Sequence, residues 1–270
     1  MQARLLPAAR GAFWVAAGFL LYRRNPPLLT MLTLGYLLLV VAFGQIQPVG
    51  PFLLPLLLPT LTALIANGCR ALDRGVPVPR GALTAGLRER RGALLRLGGL
   101  HLLGTLLIIA IDMLLQNGDS NALIVRQDET AATAHLIEVA ELLWHMLRLL
   151  LIALPVLLAF WFAPLLTVWD GVPATKSLFF SLVAVWRNWR AFLVYALTAT
   201  LVGVILPGLL LLLASLVSKS LVEVFSIALR LLLLLVFAPV LMTGIYQSYR
   251  DVFTPVVEAE EPPLPEEVQG

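Results

Sequence analysis

The sequence predicts an all-α fold: a polytopic membrane helix bundle of six transmembrane helices, arranged as three hairpins that are each preceded by a short interfacial helix. Three observations predict it. Of 270 residues 60% are hydrophobic and 13% charged, whereas a soluble domain carries about 25% charged residues, so a soluble globular enzyme is excluded. Six apolar runs approach the about 20 residues that cross a bilayer. Lys and Arg gather on alternate connections, the pattern that sets membrane topology.

The first apolar stretch, 11–22, is too short to span. It ends in Arg23-Arg24-Asn25-Pro26 with no small-residue cleavage site, so it is not read as a signal peptide. Its Phe13, Trp14, Phe19 and Tyr22 between arginines suit a helix at the lipid–water boundary or one tucked against the bundle. Residues 1–27 are therefore expected to form an N-terminal interfacial segment.

Six longer runs follow at 28–43, 49–67, 93–115, 142–167, 191–214 and 224–246, within a transmembrane domain spanning 28–250. The first reaches full length only through the uncharged Gly44-Gln45-Ile46-Gln47. Prolines inside the runs are tolerable because neighbouring groups in a membrane bundle can satisfy the freed carbonyls. Placing the N-terminus in the cytoplasm puts 15 of the 19 basic residues on that side, with Arg126 and Lys219 outside and Arg148 and Arg230 within spans. Both termini are thus expected in the cytoplasm. The last 20 residues carry six acids and no base, and 251–270 is expected to be a disordered acidic tail.

The even spans end alike, in Leu58-Pro59-Thr60, Ala163-Pro164-Leu165 and Ala238-Pro239-Val240, so Pro59, Pro164 and Pro239 are expected to kink them at the inner third. Two are followed by similar turns, Asp73-Arg74-Gly75-Val76-Pro77 and Asp170-Gly171-Val172-Pro173. Each odd span follows a short segment ending in basic residues: Arg23 and Arg24, then Arg88, Arg90 and Arg91, then Arg187 and Arg190. A unit of interfacial helix, outward span and kinked inward span is therefore read three times over. The best-defined interfacial helix covers 173–187, with Asp170 as its expected cap. Ser177, Ser181, Ala184 and Asn188 make its smaller side, and Leu178, Phe179, Leu182, Val185, Trp186 and Trp189 its bulky one. Its end charges are expected to meet anionic headgroups, at about 1 kcal/mol per basic residue.

Gly18-Phe19 with Arg23-Arg24-Asn25-Pro26, Cys69-Arg70-Ala71-Leu72-Asp73, Phe162-Ala163-Pro164 and the segment from Ser181 to Trp189 resemble an uncharacterised family of six-helix proteobacterial inner-membrane proteins, over most of 8–250. More distantly, the pattern is similar to the membrane region of some glycerophosphodiester phosphodiesterases. The resemblance implies the bacterial inner membrane and this fold, and supplies no activity.

Charges inside spans are costly unless paired or wetted. Asp112, Arg148 and Arg230 lie roughly 7–10 Å below the outer boundary at about 1.5 Å per residue, so they either form an ion cluster or snorkel outward. Glu138, Glu141, His145 and Arg148 share one side of the fourth span, where His145 can exchange protons near neutral pH. Their spacing matches no helical metal motif, and no metal or other cofactor is expected. His101 is expected to bond a neighbouring helix. Cys69 excludes an internal disulfide framework. The chain has no phosphate loop, nucleophile elbow or His-Glu zinc helix.

Three functions remain open. The preferred one is a non-enzymatic membrane component organising lipids or a protein complex through its basic face. The alternative is a transporter or channel for a small anionic solute using Asp112, His145, Arg148 and Arg230, and the third a lipid-processing enzyme using Glu138, Glu141 and His145. The expected partners are anionic membrane lipids, with a protein partner or a second copy, and no nucleic acid.

Overall fold

The computed structural model describes residues 3–75, 78, 81–119 and 131–253, except for the side chains of 117–119 and 131–138. The described residues are helical nearly throughout. They comprise α1 (Arg10–Tyr22), α2 (Pro26–Gln45), α3 (Gly50–Asp73), α4 (Arg91–Asp119), α5 (Ala131–Trp169), α6 (Ala174–Arg187), α7 (Trp189–Thr200), α8 (Leu206–Ser215), α9 (Lys219–Leu232) and α10 (Ala238–Phe253). Six stretches are long and apolar enough to cross a membrane, with α7–α8 and α9–α10 each forming one of them. Of the expected tail, 251–270, residues 254–270 lie outside the described residues, and Asp251, Val252 and Phe253 belong to the last helix.

The helices pair as three hairpins, α2 with α3, α4 with α5, and α7–α8 with α9–α10. The second members α3, α5 and α10 touch one another, so they form the middle of the bundle. The short elements close the arrangement into a ring. Before the second hairpin comes a single 3-10 turn, Ala82–Thr84, which packs on α3 of the first; α6 precedes the third and packs on α5 of the second. The helix α1 precedes the first hairpin and packs on α10 of the third. Each unit thus leans on the second span of the unit before it, and the first leans on the last.

Three expectations are corrected and one open alternative is resolved. The segment before the second hairpin is no full helix, because 81–90 holds Gly81 and Gly86 at positive φ, which break a helical path. Of the two placements left open for α1, the structure shows the one tucked against the bundle: Trp14 is fully buried and Leu21 nearly so. It approaches closely because Gly11 lies against the Ala191 carbonyl of α7 and Gly18 against Thr243 and Val240 of α10. The three prolines are not at one depth. Pro59 and Pro239 stand fourteen and twelve residues before Asp73 and Asp251, whereas Pro164 stands six before Asp170; Pro155, fifteen before it, is the matching position. Finally, α6 is not capped by Asp170: Pro173 holds the cap position without a side-chain hydrogen bond.

The broken spans show how prolines are absorbed. Five-residue π-turns, Leu201–Ile205 and Leu233–Phe237, each end two residues before a proline, Pro207 and Pro239. Pro239 has no N–H to close the helical bond to the Leu235 carbonyl. That carbonyl instead accepts from the Tyr22 hydroxyl at 3.0 Å and the Thr30 hydroxyl at 2.9 Å. In the first hairpin Pro59 frees the Pro55 carbonyl, and His101 of α4 places Nδ1 3.3 Å from it.

Candidate functional site

The two ends of the bundle carry different chemistry. At the end where α3, α5 and α10 finish, each contributes or is followed by one aspartate: Asp73, Asp170 and Asp251. Asp73 accepts from the Tyr246 hydroxyl at 2.7 Å and from Arg250 at 2.6 Å, with Arg24 at 3.6 Å. Asp251 accepts from Arg10 through Nε at 2.9 Å and Nη2 at 2.6 Å, and from Trp14 Nε1 at 2.9 Å. Asp170 accepts a short hydrogen bond from the Tyr249 hydroxyl. Burial lifts the Asp170 carboxyl above the ordinary carboxylate range, against the opposing pull of Tyr249 and Arg70. The three acids are thus taken up in links between units.

Beside this network lies a cavity of about 450 Å³ lined by Asn67, Arg70, Arg74, Gly86 and Trp169 among others. Asn67 is saturated: its amide donates to the Leu83 and Ala85 carbonyls at 2.9 and 3.0 Å and accepts from Trp169 Nε1 at 2.8 Å. Arg70 lies over the Trp169 ring at 4.9 Å.

Around the same end the predicted basic residues form an exposed rim: Arg23, Arg24, Arg88, Arg90, Arg91, Arg187 and Arg190. Arg24 is tied inward, donating to the Leu72 and Asp73 carbonyls at 3.1 and 3.0 Å. Arg190 stacks over Trp189. The orientation of α6 explains the aromatic part of the rim. Its small polar side is locked into the bundle: Ser177 bonds Thr167 at 3.1 Å, and Ser181 opens the α5 ladder, accepting from Phe162 N and donating to the Leu158 carbonyl, each at 2.9 Å. Its bulky side is left outside, with Phe179 62% and Trp186 71% exposed. A helix turned this way presents apolar rings to lipid, with charges at its ends. Asn188, 2% exposed, accepts from Leu6 N at 2.8 Å and donates to the Arg4 and Ala184 carbonyls at 2.9 Å.

At the opposite end the structure brings Asp112, His145 and Arg148 together. Arg148 Nε is 3.3 Å from Asp112, both side chains being 13% exposed, and Arg148 Nη2 is 3.0 Å from His145 Nδ1. Arg230 does not join them; it is exposed on α9, with no hydrogen bond or ion pair among the described residues. Glu141 is exposed nearby, and the side chain of Glu138 lies outside the described residues. Among the described residues no three of His, Cys, Asp and Glu converge as a metal set.

The partners Tyr246, Tyr249 and Asn188 were absent from the sequence-based site. A hint existed in the repeated Asp-x-x-Pro-like turns, which mark the ends of the inward spans. The tyrosines carry no local signal, because their aspartates lie 173 and 79 residues away.

Six apolar helices, hairpin pairing and a charged rim at one end define a multi-pass helical membrane protein. No protein-family model matches the chain, and no solved structure matches it. A probable inner membrane protein of Burkholderia thailandensis (strain E264) is 31% identical to it over 274 residues, covering 98% of each chain. The chain belongs to the family of that inner membrane protein. The more distant likeness to the membrane region of glycerophosphodiester phosphodiesterases is not supported by these comparisons.

Proposed function

We propose that this protein is a non-enzymatic inner-membrane component that gathers anionic lipids, or a complex seated on them, at a cytoplasmic basic face, with both termini in the cytoplasm. The observation that supports the reading best is the rim itself. Arg88, Arg90, Arg187 and Arg190 are exposed at the same end as the outward-turned rings of Phe179, Trp186 and Trp189. Rings at the headgroup level and guanidinium groups beside them are the two halves of an anionic-lipid contact. Asp73, Asp170 and Asp251 at that end are engaged internally, and among the described residues only Glu89 offsets the rim's positive charge.

The test is lipid retention on protein ejected into a native mass spectrometer from nanodiscs of equal phosphatidylglycerol and phosphatidylcholine. Wild-type protein is expected to hold phosphatidylglycerol preferentially, and R88Q/R90Q/R187Q/R190Q to lose that preference. Equal retention of both lipids by the wild type overturns the reading. Orientation is tested separately by labelling single cysteines at the rim from either side of the membrane in a C69A background.

A second reading, a carrier for a small anionic solute, draws on the Asp112–Arg148 pair and its His145 neighbour. It loses one of its expected charges, since Arg230 is exposed and pairs with none of them among the described residues. Uptake assays on R148Q test it.

A further inference from the structure

A groove of about 660 Å³ runs along the outside of the contact between the first hairpin and α4, within the range of roughly 300–1,000 Å³ usual for ligand sites. Its walls are apolar: Leu53 and Leu57 of α3 and Leu95 of α4 are 42%, 39% and 65% exposed, and Leu94 is buried beneath them. Phe43 borders it toward the far end of the bundle, and Arg91 with Gly92 borders it at the basic end. Behind the groove α3 and α4 meet closely, since Gly98 lies directly on the Leu56 backbone and leaves no room for a side chain. At Gly92, by contrast, a side chain would enter open space.

The groove is therefore an apolar trough in the spanning part of two helices, ended by one guanidinium. Arg91 is exposed and has no hydrogen bond or ion pair among the described residues. An occupant must bring a hydrocarbon along the trough and an anion to its basic end. Among the described residues a second copy in the same orientation does not supply the anion. Of the acids at that end, Asp73, Asp170 and Asp251 are held in internal bonds, and Glu89 sits on the arginine-rich segment itself. A phospholipid with an anionic headgroup supplies both parts, and its phosphate suits the forked donors of arginine.

We propose that this groove binds one acyl chain of an anionic phospholipid, with the lipid phosphate on Arg91. The proposal rests on the lipid-gathering reading and assigns it a specific seat. Two variants separate head from tail: Arg91→Gln removes the phosphate donor at an exposed position, and Gly92→Leu fills the trough where the backbone has room. Both are checked for unchanged thermal unfolding in detergent.

In native mass spectra from phosphatidylglycerol–phosphatidylcholine nanodiscs, the wild type is expected to keep a single phosphatidylglycerol to the highest collision energy. R91Q is expected to lower its retention about fivefold, the worth of about 1 kcal/mol for one basic residue at an anionic surface. G92L is expected to abolish that most retained adduct, whichever lipid is offered. A folded R91Q and G92L that both keep it overturn the groove, even when the rim variant loses its lipid preference and the broader reading stands. A wild type with no preference overturns both. A dimer seen with wild type and lost in G92L overturns the lipid assignment in favour of a second copy.

Discussion

A single side chain decides how the N-terminal residues are fixed. Asn188 has three partners at 2% exposure, two of them in the segment ahead of α1. Replacing it with Ala leaves the partly buried Leu6 N–H and Arg4 carbonyl without these partners, at about 1 kcal/mol each. N188A is thus expected to lower the unfolding midpoint clearly and to expose residues 3–9 to protease, both measurable in detergent. Asp170 yields a pH prediction. Its folded-state pKa is raised by burial, so its contribution is fully present below the unfolded value of about 3.9 and is lost as pH rises through the folded value. D170N keeps an oxygen to accept from Tyr249 and has no charge to desolvate. Its midpoint is expected to gain on the wild type as pH rises above about 4 and then to hold a constant offset. A gap that narrows over that interval contradicts the assignment.

Among the elements, runs of apolar residues were legible because a span needs length and little else. The π-turns were not legible. Leu201–Ile205 and Leu233–Phe237 read as ordinary helix, and only the following proline hints at trouble. Nor could the sequence say which side of α6 faces the bundle. In water the bulky side would turn inward; in lipid, which is as apolar as those rings, the small residues pack and the rings stay outside. The proline at 239 makes the element-scale prediction. With Tyr22 and Thr30 both donating to Leu235 O, Y22F/T30V strands a carbonyl within a spanning segment, away from water, and is expected to cost about 1–3 kcal/mol. Adding P239A supplies a backbone N–H to the same carbonyl. P239A is therefore expected to be more favourable in the double variant than in the wild type, by roughly the worth of one hydrogen bond, about 1 kcal/mol. Additive costs in the unfolding midpoints would show that the carbonyl is not their shared partner.

Across the whole molecule, the threefold unit was visible in sequence as similar span ends, but its cyclic closure was not. The closing contact joins α1 to the last helix across 241 residues, a distance at which neither periodicity nor local motif speaks. The links between units are alike in kind, each an aspartate at the end of an inward span, yet they differ in who answers. Asp73 and Asp170 are answered from α10, while Asp251 is answered from α1 by Arg10 and Trp14. The acid Asp251 has a side chain only 10% exposed and receives three donors. D251A strands the Trp14 N–H and frees Arg10, an expected loss of about 2–3 kcal/mol, below the 3–5 of a fully buried pair because Arg10 is partly solvated. D251N keeps an acceptor for Trp14 and gives up only the charge, so it should fall between. If closure holds the ring together, D251A also loosens the far side of α1: Tyr22 and Thr30 lose their grip on Leu235, and amide exchange rises in 233–237 as well as in 10–22. Exchange confined to 10–14 would mean that α1 is an appendage on a bundle complete without it, and that the three units are a row rather than a ring.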